Sequence, residues 1–140
     1  MYEHILIPLE NTATDEAILG HIRNLARLTN AKITLIHVAD GYVARYQNQL
    51  NLANSQEMVE DQNYLEKRKV ELTNEGFEVN VHLATGDPVK KILAYAKSHH
   101  CDLIAMSTHG HGIFKDFLFG SVASDVRHRT NLPVLLLKAK

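Results

Sequence analysis

The chain has 140 residues, of which 45% are hydrophobic and 22% charged, with a formal net charge of −1. These values are typical of one globular domain, here covering residues 1–140, that is long enough to bury a core. With no basic block longer than Lys67-Arg68-Lys69, the charge pattern argues against nucleic-acid or membrane partners. No apolar run approaches the roughly 18 residues of a membrane span. The single cysteine, Cys101, favours a reducing compartment, so we expect a cytoplasmic protein with an inert thiol.

Hydrophobic spacing alternates along the chain between the pattern of a buried strand and that of a helix. The predicted strands cover residues 4–9, 33–38, 77–84, 103–106 and 134–137. Predicted helices run from a cap at residues 12–15 to Asn30, over 55–75, onward from Pro88, and over 121–129. The third strand alternates apolar and polar residues, which is typical of a half-buried edge strand. The segment 40–54 receives no assignment.

Three local signals mark helix ends. Asp87 followed by Pro88 predicts an N-cap and first helical position, and Gly76 predicts a left-handed residue after the long helix. Strands that alternate with helices form a parallel sheet covered on both faces. The predicted fold class is therefore α/β, an open, doubly wound, Rossmann-like sheet of five parallel strands.

In such a sheet, ligands bind beyond the carboxyl ends of the strands, where the strand order reverses. Two loops at this edge are chemically distinctive: residues 8–12, which contain Glu10, and residues 106–112, which contain Gly110 and Gly112. If the first and fourth strands are neighbours, both loops line one crevice. That arrangement brings Glu10 near a glycine loop suited to phosphate.

The glycine loop matches neither common phosphate fingerprint. The first loop has no glycine for a dinucleotide motif, and no Walker sequence occurs. Gly110 and Gly112 can still bring backbone amides close to an anion. Gly120 is predicted to turn the chain into the last helix, where Ser121 caps the helix or donates to phosphate. A glycine-rich turn with Ser121 only as N-cap is the alternative.

These residues resemble the universal stress protein family over essentially the whole chain. The family pattern G-x-x-G, nine residues, then G-[ST] corresponds to Ser107 through Gly110, nine residues, then Gly120-Ser121. The resemblance implies an adenine nucleotide alpha hydrolase-like fold that binds ATP, with Mg²⁺, and forms a homodimer through residues 133–137 (Pro133 to Leu137). It also implies a stress-response binding module rather than an enzyme.

The resemblance also implies roles for individual residues. The adenine is expected beside the first loop and the second strand, and the ribose beside the fourth strand. By this analogy the base contacts Pro8, Leu9, Glu10 and Val38, and the ribose Met106 and Ser107. The phosphates contact Gly110, Gly112, Gly120, Ser121 and Val122, with His109 and Lys115 as weaker candidates.

Two positions depart from the family pattern. Ser107 replaces the first motif glycine, and Glu10 replaces an aspartate. Neither substitution forbids binding, because serine fits where φ is negative, and its hydroxyl can reach a ribose. We expect no catalytic residues and at most slow ATP hydrolysis. We also expect no protein-held metal site among the nine histidines. A nucleotide-independent dimeric interaction protein and a slow ATPase are the alternatives.

Overall fold

The computed structural model describes residues 1–40, 51–109 and 117–139. Within these ranges, strands and helices alternate as the hydrophobic spacing predicts. The strands are β1 (His4–Pro8), β2 (Lys32–Asp40), β3 (Val79–Gly86), β4 (Leu103–His109) and β5 (Val134–Ala139). The helices are α1 (Asp15–Thr29), α2 (Asn51–Asn74), α3 (Pro88–Ser98) and α4 (Phe117–Arg129). Among the described residues, no helix has both the length and the apolar character needed to cross a bilayer.

The five strands form one parallel sheet in the order β3-β2-β1-β4-β5. This arrangement confirms the predicted α/β class and the edge position of β3. β1 pairs with β4 through Ile5 and Leu103 and with β2 through Ile5 and Ile33. The chain therefore leaves β1 in one direction and returns to its other side at β4, so the switch point lies between these two strands.

The core has two layers, one on each face of the sheet. In β1, Ile5 and Ile7 pack on the face covered by α1 and α2, whereas Leu6 packs on the face covered by α3 and α4. All three side chains are fully buried. The central strands are thus buried on both faces, which explains why their sequences are continuous apolar runs.

Two predicted boundaries near the glycine loop are wrong. β4 continues three residues beyond Met106, because Ser107 to His109 pair with the end of β5. α4 begins at Phe117 and not at Ser121, so Gly120 and Ser121 lie inside the helix. Gly120 therefore does not turn the chain into α4, and Ser121 is not its N-cap. Glycine costs only about 1 kcal/mol in a helix, and the surrounding sequence overrides it here.

The caps of α2 and α3 are confirmed. Asp87 accepts the N–H groups of Val89 and Lys90, with Pro88 in the first turn. After α2, Gly76 has φ +99°, and the Phe77 N–H reaches back to the Leu72 carbonyl, as in a Schellman motif. The start of α1 also lies within the predicted cap at residues 12–15, with Thr14 in the N-cap position, although the Thr14 side chain makes no capping bond.

Candidate functional site

The loop after β1 is held in shape by a buried carboxylate. The Leu9 N–H donates to the Ile36 carbonyl at 2.8 Å, which is the last bond of this loop to the β2 backbone. Asp15, only 1% exposed, then accepts the N–H groups of Glu10 and Asn11, each at 2.9 Å. Asn11 has φ +63°, a left-handed conformation that asparagine tolerates. The loop is therefore pre-formed at the carboxyl end of β1.

Helix α2 supplies a third donor to this carboxylate. The Tyr64 hydroxyl donates to Asp15 at 2.5 Å. Burial and this hydrogen bond hold the pKa of Tyr64 well above its ordinary value, so the phenol remains a donor. Behind it, the Arg68 guanidinium donates to the Tyr64 oxygen at 3.2 Å and pairs with Glu16 and Glu71. Asp15 thus joins the loop to α2.

A second link between the loop and α2 runs through Asp61 and His37. Asn11 Nδ2 donates to Asp61 Oδ1 at 3.0 Å, and His37 Nε2 lies 3.3 Å from Asp61 Oδ2. The other ring nitrogen of His37, Nδ1, donates to the Leu9 carbonyl at 2.8 Å. We call this set of three side chains, His37, Asp61 and Asn11, the polar bridge. It joins the end of β2, the loop and α2.

The side chains of the loop and of β4 meet at Thr14. The Thr14 hydroxyl donates to Glu10 Oε2 at 2.6 Å and also lies 2.7 Å from the Thr12 hydroxyl. Ser107 is buried, with 3% of its surface exposed, and its hydroxyl donates to the Thr14 carbonyl at 3.0 Å. Glu10 and Ser107, the two positions that depart from the family pattern, are therefore both hydrogen-bonded to Thr14 at the switch point.

Comparison with known proteins decides the family. Residues 1–138 match the universal stress protein family. The universal stress protein MJ0577 of Methanocaldococcus jannaschii is 30% identical over all of this chain and 97% of its own length. The chain belongs to the universal stress protein family. The solved structure of MJ0577 has a TM-score of 0.88 to this chain at 32% identity, covering 100% of this chain and 98% of that one.

Two further solved structures are complexes of universal stress proteins with a nucleotide. One from Archaeoglobus fulgidus, in complex with dAMP, has a TM-score of 0.65 and 22% identity, over 98% of each chain. Another, in complex with cAMP, has a TM-score of 0.65 and 18% identity, over 99% of this chain and 98% of that one. At these identities the likeness shows a shared fold.

In this universal stress protein, several predicted contacts are core residues. The side chains of Leu9, Met106 and Val122 are buried, Leu9 on one face of the sheet and the other two on the opposite face, and Pro8 is buried in β1. The side chains of these residues are therefore not exposed to a ligand. Val38 also packs its side chain toward the core.

The backbone of Val38 is directed differently from its side chain. Ile36 accepts the Leu9 N–H, so its backbone groups face β1. Every second residue of a strand faces the same neighbour, so the Val38 amide and carbonyl are also directed to that side. β1 ends at Pro8, opposite Ile36. The Val38 backbone groups therefore face the region beyond the end of β1.

The structure describes only the two ends of the segment that is predicted to contact the phosphates. His109 ends β4, and Gly120 and Ser121 belong to the helical backbone of α4. Gly110, Gly112 and Lys115 lie outside the described residues. The structure thus brings Glu10 and Ser107 together through Thr14, and the predicted roles of the remaining phosphate residues stay predictions.

Sequence reasoning missed four residues that shape this site: Asp15, His37, Asp61 and Tyr64. Only Asp15 carried a usable signal, since a carboxylate shortly after a buried strand can accept the free N–H groups of the turn. Asp61 and Tyr64 lie on the long polar helix α2, where nothing local separates them from solvated residues. Their role depends on the docking of α2 against the loop.

Cys101 lies far from this crevice, at the amino end of β4. It is buried, and burial raises the pKa of its thiol to about 11. A protonated, buried thiol is a poor nucleophile, in agreement with the expected inert cysteine. In the part of the chain that the structure describes, no three His, Cys, Asp or Glu side chains are grouped to hold a metal ion.

Proposed function

We propose that this universal stress protein is a cytoplasmic module that binds ATP or a related adenine nucleotide at the switch point between β1 and β4. The observation that carries the proposal is the loop after β1, which Asp15 and the polar bridge hold in place through hydrogen bonds within the protein. A pre-formed loop lowers the entropic cost of binding. The dAMP and cAMP complexes of two relatives of the same fold support an adenine nucleotide as the ligand.

The charges of the described residues favour one orientation of the nucleotide. Carboxylates collect on the β1–β2 side, where Glu10, Asp15 and Asp61 lie within one hydrogen-bonded cluster. Phosphates are repelled there, whereas the neutral base is not. On the other side, the crossover after β4 leads into α4, whose amino end attracts anions. The base is therefore assigned to the β1–β2 side and the phosphates to the α4 side.

Adenine has complementary partners on the β1–β2 side. Its ring nitrogen accepts and its exocyclic amine donates, which matches the amide and carbonyl of Val38. Glu10 offers a carboxylate acceptor to the same amine, and the Thr14 hydroxyl orients that carboxylate. Mg²⁺, when bound with the nucleotide, would neutralise phosphate charge. The proposed role is binding, with occupancy tuning the dimer or its partners.

Calorimetry on nucleotide-stripped protein tests this proposal. Titrations with ATP, AMP and cAMP, with and without Mg²⁺, are expected to give saturable binding to at least one nucleotide. Glu10→Gln should raise the Kd by about tenfold, the equivalent of one hydrogen bond to a charged group. Glu78→Gln, an exposed residue at the amino end of β3, is the matched control. Absence of binding to all three nucleotides at millimolar concentration would overturn the proposal.

The same samples also test the alternative function, that of a slow ATPase, by phosphate release. Phosphate release from Mg-ATP should remain at the level of the buffer, because we propose binding without turnover. Turnover that disappears in Lys115→Ala would favour the ATPase. Turnover that Lys115→Ala leaves unchanged would indicate a contaminant.

A homodimer through β5 is the second part of the proposal. β5 is an edge of the sheet, and Leu135 to Leu137 are only half-buried there. An open apolar edge pairs readily with another strand, and a second copy of β5 about a two-fold axis satisfies both edges. Light scattering should give a dimer mass that Leu137→Lys reduces to a monomer. Leu83→Lys, at the opposite edge, should leave the dimer intact.

A further inference from the structure

The Ser107 side chain lies between β4 and the start of α1. Along β4, Ala105 packs in the core layer covered by α1 and α2, and Met106 packs in the opposite layer. Because side chains alternate along a strand, Ser107 faces the same side as Ala105. Its hydroxyl donates there to the Thr14 carbonyl at 3.0 Å, and the residue is buried. The Ser107 hydroxyl is therefore engaged by the protein itself and is not exposed to a ribose.

Thr14 occupies the N-cap position of α1, but its hydroxyl does not cap the helix. A threonine at this position ordinarily accepts a backbone N–H of the first helical turn. The Thr14 hydroxyl instead donates to Glu10 Oε2 at 2.6 Å. Since it has only one proton, the Thr12 hydroxyl, 2.7 Å away, donates to the Thr14 oxygen. The Thr14 side chain thus holds a carboxylate where it could have stabilised the helix end.

Ser107, Thr14 and Glu10 form a hydrogen-bonded chain that we call the hydroxyl relay. Ser107 fixes the Thr14 backbone through its carbonyl, and Thr14 fixes Glu10 through its hydroxyl. Ser107 and Thr14 are 93 residues apart, so the relay joins the end of β4 to the loop after β1. A glutamate side chain has several rotatable bonds and adopts many positions in water. The bond from the buried Thr14 restricts the carboxylate to one of them.

We propose that Ser107 and Thr14 are positioning residues that direct the Glu10 carboxylate toward the exocyclic amine of a 6-aminopurine. This inference rests on the proposed nucleotide function. The amine donates to a carboxylate, whereas the 6-oxo group of hypoxanthine or guanine is an acceptor that the carboxylate repels. The hydroxyl relay therefore determines which purine binds, and Ser107 acts through Thr14 without contacting the ribose. The two positions that depart from the family pattern function as a pair.

A fixed carboxylate discriminates between purines more strongly than a mobile one. A mobile carboxylate turns away from a 6-oxo group into water, so the wrong base is tolerated. A carboxylate that Thr14 holds in place stays opposite the base, and a 6-oxo ligand then leaves two acceptors facing each other without a proton between them. Loss of the Thr14 hydroxyl should therefore weaken specificity, and not only affinity.

The first test uses nucleotide-free protein, so that it does not depend on nucleotide binding. The carbon-13 NMR signal of the Glu10 side-chain carboxyl group, assigned with Glu10→Gln, should shift in both Ser107→Ala and Thr14→Val. Thr29→Val is the matched control, because the Thr29 hydroxyl bonds the Leu25 carbonyl at the other end of α1. That control should leave the signal unchanged. A Glu10 signal that either Ser107→Ala or Thr14→Val leaves unchanged overturns the hydroxyl relay.

The second test compares the affinities for adenosine and for purine riboside, which lacks the 6-amino group. In the native protein the Kd of purine riboside should be about tenfold higher, as expected for one hydrogen bond to a charged group. Thr14→Val should raise the Kd of adenosine by about tenfold and leave that of purine riboside unchanged. Thr14→Ser, which keeps the hydroxyl, and Thr29→Val should keep the native ratio. Equal increases for both ligands in Thr14→Val would show a structural effect only and overturn the positioning role.

The variant Ser107→Ala separates a role through Thr14 from a direct contact with the ribose. It should raise the Kd values of adenosine and of its 2′-deoxy and 3′-deoxy forms by the same factor, about fivefold, the equivalent of one neutral hydrogen bond. In protein that already has Glu10→Gln, Ser107→Ala should have no further effect on the adenosine Kd. An effect that disappears with a deoxy form, or one that persists in Glu10→Gln, overturns the inference.

These tests distinguish failure of this inference from failure of the proposed function. If the Glu10 signal responds to both variants but the native protein binds neither adenosine nor the nucleotides, the proposed function is wrong, and with it the role of the relay toward a base. If the native protein binds adenosine and purine riboside equally well, the proposed function stands and the inference fails.

Discussion

The two ends of the sheet use the same device with different surroundings. At the carboxyl end, Asp15 accepts two consecutive N–H groups of the loop after β1, and at the amino end Asp102 accepts those of Glu3 and His4. Asp15 is buried and receives a third bond from α2, whereas Asp102 is half-buried and reached by solvent. The first carboxylate closes a local turn and ties that turn to α2. The second joins the start of β4 to the start of β1, between residues 99 and 98 positions apart in the chain.

The buried histidines repeat this contrast. His4, at the amino end, has a carbonyl and a hydroxyl as partners, and burial lowers its pKa. His37, at the carboxyl end, has a carbonyl and a carboxylate. The comparison teaches that Asp102 and His4, at the amino end, bond the backbone and side chains of neighbouring strands. At the carboxyl end, the acidic groups are gathered around the loop after β1, where a ligand can contact them.

The largest expected effect comes from exchanging the two aspartates for asparagine. Asp15→Asn should lower the free energy of unfolding by about 2 to 3 kcal/mol, because a buried backbone N–H loses a charged acceptor. Asp102→Asn should cost about 1 kcal/mol or less, since water replaces the lost bond. Urea denaturation measures both values. Equal losses would mean that the two ends are energetically alike.

Removing the tyrosine link should have a smaller effect. Tyr64→Phe keeps the ring on α2 and deletes only the hydroxyl that bonds Asp15. We expect a loss of about 1.5 kcal/mol, the contribution of a hydrogen bond to a charged group, again from urea denaturation. The loss should vanish when Asp15→Asn is already present. Additive losses in the double variant would show that the two residues act independently.

The serine at the switch point gives a third, still smaller expectation. Ser107→Ala leaves the Thr14 carbonyl without its buried donor and should cost about 1 kcal/mol in thermal or urea unfolding. Ser98→Ala is the control, since that hydroxyl lies on an exposed helix end. If Ser107→Ala is as mild as the control, the link between β4 and the loop contributes no stability.

The smallest effect concerns pH and His4. Its pKa is lowered from 6.5 chiefly by burial, so below pH 6.5 the unfolded chain binds a proton that the folded chain resists. This contribution to stability is complete above pH 6.5 and is lost as the pH falls toward the lowered value. His4→Gln should flatten part of the decline in melting temperature between pH 6.5 and 5. An unchanged slope would mean that His4 is not a source of the acid sensitivity.

Much of the fold could be predicted because its signals are local. The Asp87 cap and the Gly76 turn depend on residues within a few positions of each other. The apolar runs of the central strands follow from burial on both faces, and the edge position of β3 from its alternation. The start of α4 could not be predicted, because a glycine at position 120 has the same local signal inside a helix as at its boundary.

The sequence by itself determined the α/β class, the family and the two loops that meet at the switch point. It also identified Glu10 and Ser107 as the positions that depart from the family pattern. Only the tertiary structure decided what surrounds them, since Asn11 and Asp61 are 50 residues apart in the chain. Periodicity reports which face of an element is buried. It carries no information on which polar side chain of a distant helix will meet a loop, because that depends on how the helix packs.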